Sequence, residues 1–308
     1  MVLTASNVAE VVQGLSTVAS DQKITGFNLR QMSRVLEYTP EDMTVSVETG
    51  ITLAELQRKL GEHGQWLPID PPQTENLTIG ALLAGNKSGP RRYGYGTIRD
   101  YLLGIKVVLA DGRTIKAGGK VVKNVAGYDL CKLFVGSRGT LGVIVEATFK
   151  VLPKPETEKT VSATFPTLES LADALEHLAT SSVVPVAIDA HNYGGTTTLV
   201  ACFAGANEDV AWQLGCAREL GFTQEASLEY EQAFWDSSEP VECVSVLPSK
   251  VFDTLHQINA RSYVARAGNG IIYYRGGKDP DHPKLPRELM KRIKDTYDPK
   301  HLLPELPW

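Results

Sequence analysis

The chain of 308 residues lacks the features that mark a membrane, secreted or metal-binding protein. No apolar run approaches the roughly 20 residues needed to span a bilayer. The first ten residues lack a basic stretch followed by an apolar core, so we expect no secretory signal. No two cysteines have Cys-x-x-Cys spacing, which argues against an iron–sulfur cluster or a zinc site. We interpret the cysteines as small buried apolar residues of a reducing compartment: Cys131, Cys202, Cys216 and Cys243.

The chain also lacks an excess of basic residues. Its 31 Lys and Arg against 36 Asp and Glu leave a formal net charge of -5, which argues against nucleic-acid binding. The six histidines include no His-x-x-x-His pair, so we expect no protein-bound metal. What remains is an ordinary globular composition, 43% hydrophobic and 22% charged, with enough length for two domains.

Helix and strand patterns predict a mixed α and β architecture. Asn7 and Thr52 are each followed three residues later by Glu, the spacing of a capping box at a helix start. Asp111-Gly112 between two strand-like runs indicates a hairpin. After residue 153, strands and helices alternate, which predicts a small sheet covered on one face by helices. The expected units are residues 1–153, 154–285 and a C-terminal segment at 286–308.

One segment departs from the average composition. Residues 80–142 hold 13 of the 27 glycines, and residues 80–135 carry ten Lys or Arg against three Asp or Glu, a local charge of 10 − 3 = +7. Glycines let a backbone approach a ligand closely, and positive charge suits phosphate or carboxylate. A ligand site and a twisted sheet with a solvated basic face are both compatible with this composition.

Motifs in a fixed order resemble one flavoprotein family. They are Pro71-Pro72, Thr78-Ile-Gly-Ala, Ser88-Gly-Pro-Arg-Arg-Tyr-Gly-Tyr-Gly-Thr, Arg99-Asp100, Asp111-Gly112, Lys123-Asn-Val-Ala-Gly-Tyr-Asp and Gly136-Ser-Arg-Gly-Thr-Leu-Gly-Val-Ile. Together they resemble the vanillyl-alcohol-oxidase-like flavoproteins. The run at 123–129, with Gly-Pro-Arg-Arg at 89–92, is similar to the FAD-binding subunits of bacterial glycolate oxidases.

The resemblance implies an α+β fold: a two-subdomain FAD-binding domain of the PCMH type, followed by a smaller ferredoxin-like α/β cap. The tail motif that starts at Ile293-Lys-Asp-Thr-Tyr-Asp-Pro resembles a family segment that packs back on the FAD domain. The implied cofactor is FAD, bound non-covalently, because no histidine stands in the context of the family's covalent anchor.

The same resemblance implies a set of FAD-binding residues. Residues 78–81 would lie along the pyrophosphate and ribityl chain, residues 85–100 near the ring and ribityl, and residues 136–144 under the adenine. Each of these residues is alternatively a turn glycine or a satisfied core group. The full set is Pro71, Thr78, Ile79, Gly80, Ala81, Gly85, Ser88, Gly89, Tyr95, Gly96, Thr97, Asp100, Gly136, Gly139, Thr140, Gly142 and Ile144.

The chain departs from the family pattern near its start. The family has a phosphate loop rich in glycine and serine before the region of Asn28, whereas residues 16–27 here are short and contain one glycine. Either the loop is absent, or Ser16, Ser20 and Thr25 replace it poorly. A pyrophosphate needs several N–H donors, so we expect weaker FAD binding.

The implied function is the oxidation of a small 2-hydroxy acid such as glycolate, with the flavin supplying the redox chemistry. Arginine is the usual clamp for a carboxylate, and the candidates are Arg91, Arg92 and Arg275. No catalytic residue is assigned. The candidate bases are Tyr128, His256 and His282, and Asn269, Tyr273 and Tyr274 either approach the flavin or are plain strand residues.

The resemblance also implies partners: a larger flavoprotein subunit and an iron–sulfur subunit that accept the electrons. It implies a cytoplasmic location, with any contact to the inner membrane made through those partners. Two other functions stay open. One is a degenerate flavin-fold scaffold with weak or no FAD binding, and the other is an oxidoreductase of the same fold that acts on D-lactate or a sugar.

Overall fold

The computed structural model describes residues 1–19, 22–119, 130–193, 195–280 and 285–306. The strands of these residues are β1 Val2–Thr4, β2 Gly26–Asn28, β3 Val35–Thr39, β4 Thr44–Glu48, β5 Gln65–Trp66, β6 Leu102–Val108, β7 Thr114–Gly118, β8 Val143–Lys150, β9 Leu152–Pro153, β10 Thr157–Phe165, β11 Ala187–His191, β12 Thr197–Gly205, β13 Gln224–Ala226, β14 Glu242–Ser245, β15 Ser262–Arg266 and β16 Ile271–Arg275. The α-helices are α1 Val8–Thr17, α2 Leu53–Gly61, α3 Ile79–Gly85, α4 Arg92–Tyr95, α5 Ile98–Tyr101, α6 Leu130–Phe134, α7 Leu168–Thr180, α8 Asn207–Glu219, α9 Glu229–Trp235, α10 Val251–Ile258 and α11 Arg287–Tyr297.

Strands β1 and β2 form a small β–α–β unit with helix α1. Strands β1 and β2 pair in parallel, and α1 connects them. Asn7 accepts a hydrogen bond from the Glu10 amide at 3.0 Å, so the expected cap is present. The Glu10 carboxylate returns to the amide of Ser6 at 2.7 Å rather than to that of Asn7. Val11 and Leu15 on α1 are buried in the core that this unit shares with β8.

A five-stranded antiparallel sheet follows, in the order β3–β4–β8–β6–β7. Helix α2 begins at the predicted capping box, in which the Thr52 amide donates to Glu55 at 2.9 Å. The Asp111-Gly112 turn joins β6 to β7 as a hairpin, as predicted. The apolar faces of α2, α3 and α6 pack with this sheet in one core, and this core holds α3 in place at the site described below.

The second half forms a seven-stranded antiparallel sheet, in the order β13–β10–β12–β11–β15–β16–β14. Its first part runs β10–α7–β11–β12–α8–β13, and these four strands lie in the sheet order 4-1-3-2 of a ferredoxin-like fold, as predicted. Three further strands, β14 to β16, make the sheet larger than the sequence patterns indicated. Helices α7, α8 and α10 share one apolar core with one face of this sheet.

The two halves contact each other through α4 and the residues before it. The amide of Gly94 donates to the carbonyl of Val186 at 2.9 Å. Arg91 pairs with Asp70 at 2.8 Å and, through two of its nitrogens, with Glu158 on β10. A charged side chain on one half is therefore held between carboxylates from both halves.

The C-terminal segment packs on the first half. Lys294 on α11 is buried, and its Nζ donates to Asp298 at 2.6 Å and to the Thr140 carbonyl at 2.9 Å. The Ile24 amide donates to the carbonyl of Leu302 at 2.8 Å. These bonds connect the tail both to the strand region near β8 and to the residues before β2.

One further sequence expectation concerns the burial of the cysteines. The expectation that every cysteine is buried is wrong for Cys243, which lies exposed on the edge strand β14, and Cys216 is only partly buried. In the described parts of the chain, no helix is long and apolar enough to cross a membrane. The same residues contain no group of three or more His, Cys, Asp or Glu arranged to hold a metal ion.

Candidate functional site

A cavity of about 240 Å³ lies where three separate chain segments meet. These segments are the residues around β2, the start of α3 and the loop that leads into β8. Six of the predicted FAD-binding residues line this cavity: Thr78, Gly80, Ala81, Gly139, Gly142 and Ile144. Thr78 and Gly139, which are 61 positions apart in the sequence, thus line the same cavity.

The start of α3 contributes shape rather than free donors. Thr78 is the N-cap residue, and its hydroxyl accepts from the Ala81 amide at 3.2 Å. The amides of Ile79 and Gly80 donate to the carbonyls of Ile51 and Thr49 at 2.9 and 2.7 Å. The amides in this first turn are therefore engaged within the protein and are not free to donate to a ligand.

The loop before β8 is the better source of donors. Within the described residues, the amides of Gly139 and Gly142 have no hydrogen-bond acceptor, and neither does the enclosed Ser137 hydroxyl. A buried polar atom without a partner is uncommon and indicates a missing ligand or water. Gly139 has a positive φ of 77°, which glycine adopts without strain. Arg138 also lines the cavity and can place positive charge beside a phosphate.

Of residues 16–27, which stand where the family has its phosphate loop, those that the structure describes offer few free hydrogen-bond donors to a phosphate. Both the amide and the hydroxyl of Thr25 donate to the carbonyl of Met1, at 2.8 and 3.2 Å. The Ser16 hydroxyl donates to the Gln13 carbonyl at 2.9 Å, and Ser20 lies outside the described residues. Thr25 and Ser16 are thus already occupied by main-chain partners.

The remaining predicted residues lie around this cavity or further away. Gly136 and Thr140 line a neighbouring cavity of about 370 Å³, which the tail residues Met290 and Ile293 close on the other side. Pro71 lines a third cavity, between the loop at 70–75 and α9. The side chain of Ile79 is fully buried in the core.

Residues 85–100 make contacts within the protein. Gly85 is exposed beside Lys87, Ser88 accepts from Arg92 at 3.3 Å, and Gly89 packs against the main chain of Asp70. The Tyr95 ring meets the ring of Trp66 edge-on at 5.2 Å. Thr97 and Asp100 form a capping box, in which the Thr97 amide donates to Asp100 at 2.7 Å, and Gly96 lies against the Asp100 carboxylate. A role for this group in FAD binding stays a prediction.

The three arginines proposed as carboxylate clamps differ in how fully they are engaged. Arg275 is buried and donates to the carbonyls of Phe234 and Glu239 at 2.6 and 3.2 Å, and Arg91 is held by two carboxylates. Arg92 is partly exposed and donates to the hydroxyl of Ser88. Arg92 therefore keeps the most donors for a ligand.

Among the described residues, none of the three candidate bases is found beside any of these cavities. His256 pairs with Glu169 at 2.9 Å on the outer helices of the cap and lines none of the cavities described here. Tyr128, with the whole run at 123–129, and His282 lie outside the described residues. Tyr274 points into the helix-covered core, while Tyr273 points to the opposite face of the sheet, beside Arg266. Asn269 lies in a short turn before β16.

The first part of the chain carries an FAD-binding domain. Residues 4–118 match the family model described as "FAD binding domain". FAD is therefore its cofactor, as the motifs predicted. The unpartnered Ser137 hydroxyl and the amides of Gly139 and Gly142, for which the described residues provide no acceptor, are chemically suited to a phosphate or adenine. The hydroxyls of Ser16 and Thr25, by contrast, are engaged by main-chain carbonyls.

The chain is also similar to several curated proteins. The chain is 39% identical over 160 residues to glycolate oxidase subunit GlcD of Bacillus subtilis, covering 52% of this chain and 34% of that protein. It is 35% identical over 182 residues to glycolate oxidase subunit GlcE of Escherichia coli, covering 58% of this chain and 51% of that protein. A D-lactate dehydrogenase of Archaeoglobus fulgidus is 37% identical over 154 residues, covering 50% of this chain and 34% of that protein. The matches thus span about a third to a half of these relatives.

The fold as a whole is also found among solved structures. Alkyldihydroxyacetonephosphate synthase superposes with a TM-score of 0.71 over 99% of this chain and 76% of that chain, at 19% identity. At this identity the likeness shows the fold alone. It confirms the predicted FAD-binding fold followed by an α/β cap.

Proposed function

We propose that this chain is a subunit of an FAD-dependent oxidoreductase that oxidises a small 2-hydroxy acid. The observation that supports it most is the cavity that unites Thr78 and Gly80 with Gly139 and Gly142 in a chain matching the FAD-binding model. The relatives named as glycolate oxidase subunits and D-lactate dehydrogenases supply the substrate class.

In this proposal, residues 1–153 hold the cofactor and residues 154–285 cover its reacting side, with residues 286–308 closing on the first unit. FAD, when bound, supplies the acceptor for two electrons and a hydrogen from the substrate. Ser137, Gly139, Gly142 and Arg138 hold its phosphate and adenine portion, and Arg92 receives the substrate carboxylate.

We further propose that the electrons leave through partner chains, a larger flavoprotein subunit and an iron–sulfur subunit. The relatives named as subunits of glycolate oxidase support this. The cytoplasmic location, with membrane contact made only through partners, belongs to the same proposal.

Anaerobic mixing with a substrate panel tests the proposed reaction. The protein, purified with any partners that it retains, is loaded with FAD and mixed with glycolate, D-lactate, L-lactate and glucose. Bleaching of the flavin absorption by glycolate or D-lactate is expected. Bleaching by glucose alone would assign a sugar oxidoreductase instead.

A second candidate, a flavin-fold scaffold, is favoured by one observation. The hydroxyls of Ser16 and Thr25 are bound to main-chain carbonyls, so the described N-terminal residues offer the pyrophosphate few donors. A stably folded protein that stays colourless after incubation with excess FAD would support the scaffold and contradict the enzyme.

A further inference from the structure

A buried charged cluster lies on the face of the seven-stranded sheet opposite α7, α8 and α10. Arg266 on β15 donates to Asp189 on β11 at 2.5 Å and to Glu231 on α9. Asp189 also accepts from the hydroxyl of Tyr230 at 2.7 Å. Replacing such an ionic cluster by apolar packing is often neutral or stabilising, so the cluster contributes little to folding by itself.

One member of the cluster faces a cavity. This cavity, of about 370 Å³, lies between the loop at 70–75 of the first half and α9 of the second. Pro71, Arg91, Glu231 and Trp235 are among its lining residues. It therefore connects a predicted FAD-binding residue, Pro71, with the charged cluster of the cap.

Glu231 is held by one oxygen and leaves the other available. Its Oε1 accepts from Arg266 and from Trp235 Nε1, the latter at 3.0 Å. Its Oε2 has no hydrogen-bond partner among the residues that the structure describes, although the residue is only 6% exposed. A carboxylate fixed at one oxygen and open at the other suits hydrogen bonding to a ligand hydroxyl.

Burial of Glu231 favours its protonated form. Burial is the largest influence and raises the pKa of Glu231, and the nearby carboxylates of Asp189 and Asp70 raise it further. Arg266 and the hydrogen bond from Trp235 act in the opposite direction, and the resulting pKa is about 7. A group with a pKa near the operating pH can both accept and release a proton efficiently.

We propose that Glu231 accepts the hydroxyl proton of the substrate in this cavity. The proposal rests on the 2-hydroxy-acid oxidation proposed above. The substrate hydroxyl donates to Oε2. The O–H bond breaks and its proton forms a bond to Oε2, while the α-carbon's hydrogen and its bonding electron pair would go to bound FAD, which would supply the two-electron acceptor. The alcohol thereby becomes a carbonyl, and the proton later leaves Oε2 to solvent.

Rapid-reaction kinetics of Glu231→Gln test this role. FAD-loaded protein is mixed anaerobically with D-lactate or glycolate between pH 5.5 and 8.5. In the wild type, the second-order rate constant of flavin reduction should rise tenfold per pH unit below about pH 7 and level off above it. Glu231→Gln should lower the rate by on the order of 10²- to 10⁴-fold and abolish this pH dependence. Glu231→Asp should restore the inflection.

Two controls separate catalysis from structure. Glu219→Gln, an equivalent change at an exposed position on α8, should leave the rate and its pH profile unchanged. Without substrate, the fluorescence of Trp235 should change near pH 7 in the wild type and not in Glu231→Gln, because Trp235 donates to Glu231. The amide of glutamine still accepts from Arg266 through its oxygen, so the variant keeps the contact that holds α9.

The failures are distinguishable. If the substrate reduces the flavin of the wild type and Glu231→Gln shows the same rate and pH profile as the wild type, the role of Glu231 is overturned while the proposed function stands. A fluorescence transition near pH 7 that persists in Glu231→Gln would do the same. Wild-type protein that binds FAD and is reduced by neither probe would overturn the proposed function and the role of Glu231 with it.

Discussion

The ring of Phe27 lies against the position where a side chain at Gly139 would project: a Cβ there would stand 3.1 Å from Phe27 Cε2. Both residues line the cavity of about 240 Å³. The absence of a side chain at Gly139 therefore keeps open the space between β2 and the loop before β8. In addition, the positive φ of Gly139 makes any other residue there strained.

Gly139→Ala should therefore weaken FAD binding. A Cβ at this position narrows the cavity and adds about 1–2 kcal/mol of backbone strain. If the free energy of FAD binding falls by the same amount, the Kd for FAD increases roughly tenfold. Gly64→Ala is the matched control, because Gly64 also has a positive φ, 65°, but no atom within 4 Å of the added carbon. Fluorescence titration with FAD measures the Kd of each variant. Equal affinities in the two variants would contradict a role for this wall.

Lys294→Met should destabilise the C-terminal segment. The Nζ of Lys294 donates to Asp298 and to the carbonyls of Thr140, Leu303 and Pro304, and the residue is 2% exposed. Removing one partner of a buried ion pair costs about 3–5 kcal/mol, because the other charge stays buried and unpaired. Thermal unfolding should show this loss.

The exposed Lys291 on the same helix provides the control for that change. Lys291→Met should alter the unfolding free energy by less than about 0.5 kcal/mol. Similar melting temperatures for the two variants would mean that α11 is not held through the Lys294 ammonium.

Gly94→Ala should loosen the contact between the two halves. A Cβ at Gly94 would stand 2.7 Å from the Cα of Val186, so one backbone must move. Overpacking of this kind costs about 1–3 kcal/mol. By contrast, Gly215→Ala on α8 meets no atom within 4 Å and should stabilise the protein by about 0.5–1 kcal/mol. Limited proteolysis and denaturant unfolding distinguish these outcomes, and a stabilising Gly94→Ala would contradict the close approach.

The pH dependence of stability should reveal two opposing groups in the cap. The pKa of Glu231 is raised by burial from 4.5 to about 7, so its contribution to stability is lost as the pH rises through that interval. Burial lowers the pKa of His191 from 6.5 to about 4, so its contribution is lost as the pH falls from 6.5 toward 4. In the wild type the two trends offset each other between about pH 4.5 and 6.5.

Glu231→Gln should remove the contribution of Glu231 and leave that of His191. The unfolding free energy of this variant should increase with pH between about 4 and 6.5 by up to roughly 3 kcal/mol, from a pKa shift of 2.5 units. Urea unfolding at several pH values measures it. A flat profile for Glu231→Gln would contradict the burial of neutral His191.

The sequence predicted the fold well where local patterns and long-range packing agree. Thr52 and Glu55 form the predicted capping box, Asp111-Gly112 forms the predicted hairpin, and the alternating pattern after residue 153 becomes the ferredoxin-like strand order. Strands β14 to β16 extend that sheet, and only β16 contains residues for which the sequence suggests a strand, Tyr273 and Tyr274. Strand β14 escaped prediction because it is four residues long and lies at a sheet edge, where one-sided burial gives a weak pattern.

The candidate site was less accessible from sequence. Ser137 and Arg138 lie inside a motif that carries the family resemblance. The Ser137 hydroxyl lacks a partner, and both residues line the cavity. Their part in the site follows only from the three-dimensional positions of α3 and β2, which the local sequence does not give. Glu231 has no motif around it. Its relation to Arg266, 35 positions away, depends on how α9 packs over the sheet, and no local pattern encodes that distance.

Binding of FAD to the purified protein tests the central claim most directly. The protein is incubated with excess FAD, freed of unbound cofactor by gel filtration, and examined by visible absorption and thermal unfolding. We expect flavin bands approaching one FAD per chain and a melting temperature that increases with FAD concentration, because a ligand of the folded state stabilises it. A colourless protein whose melting temperature does not change with FAD would contradict the claim.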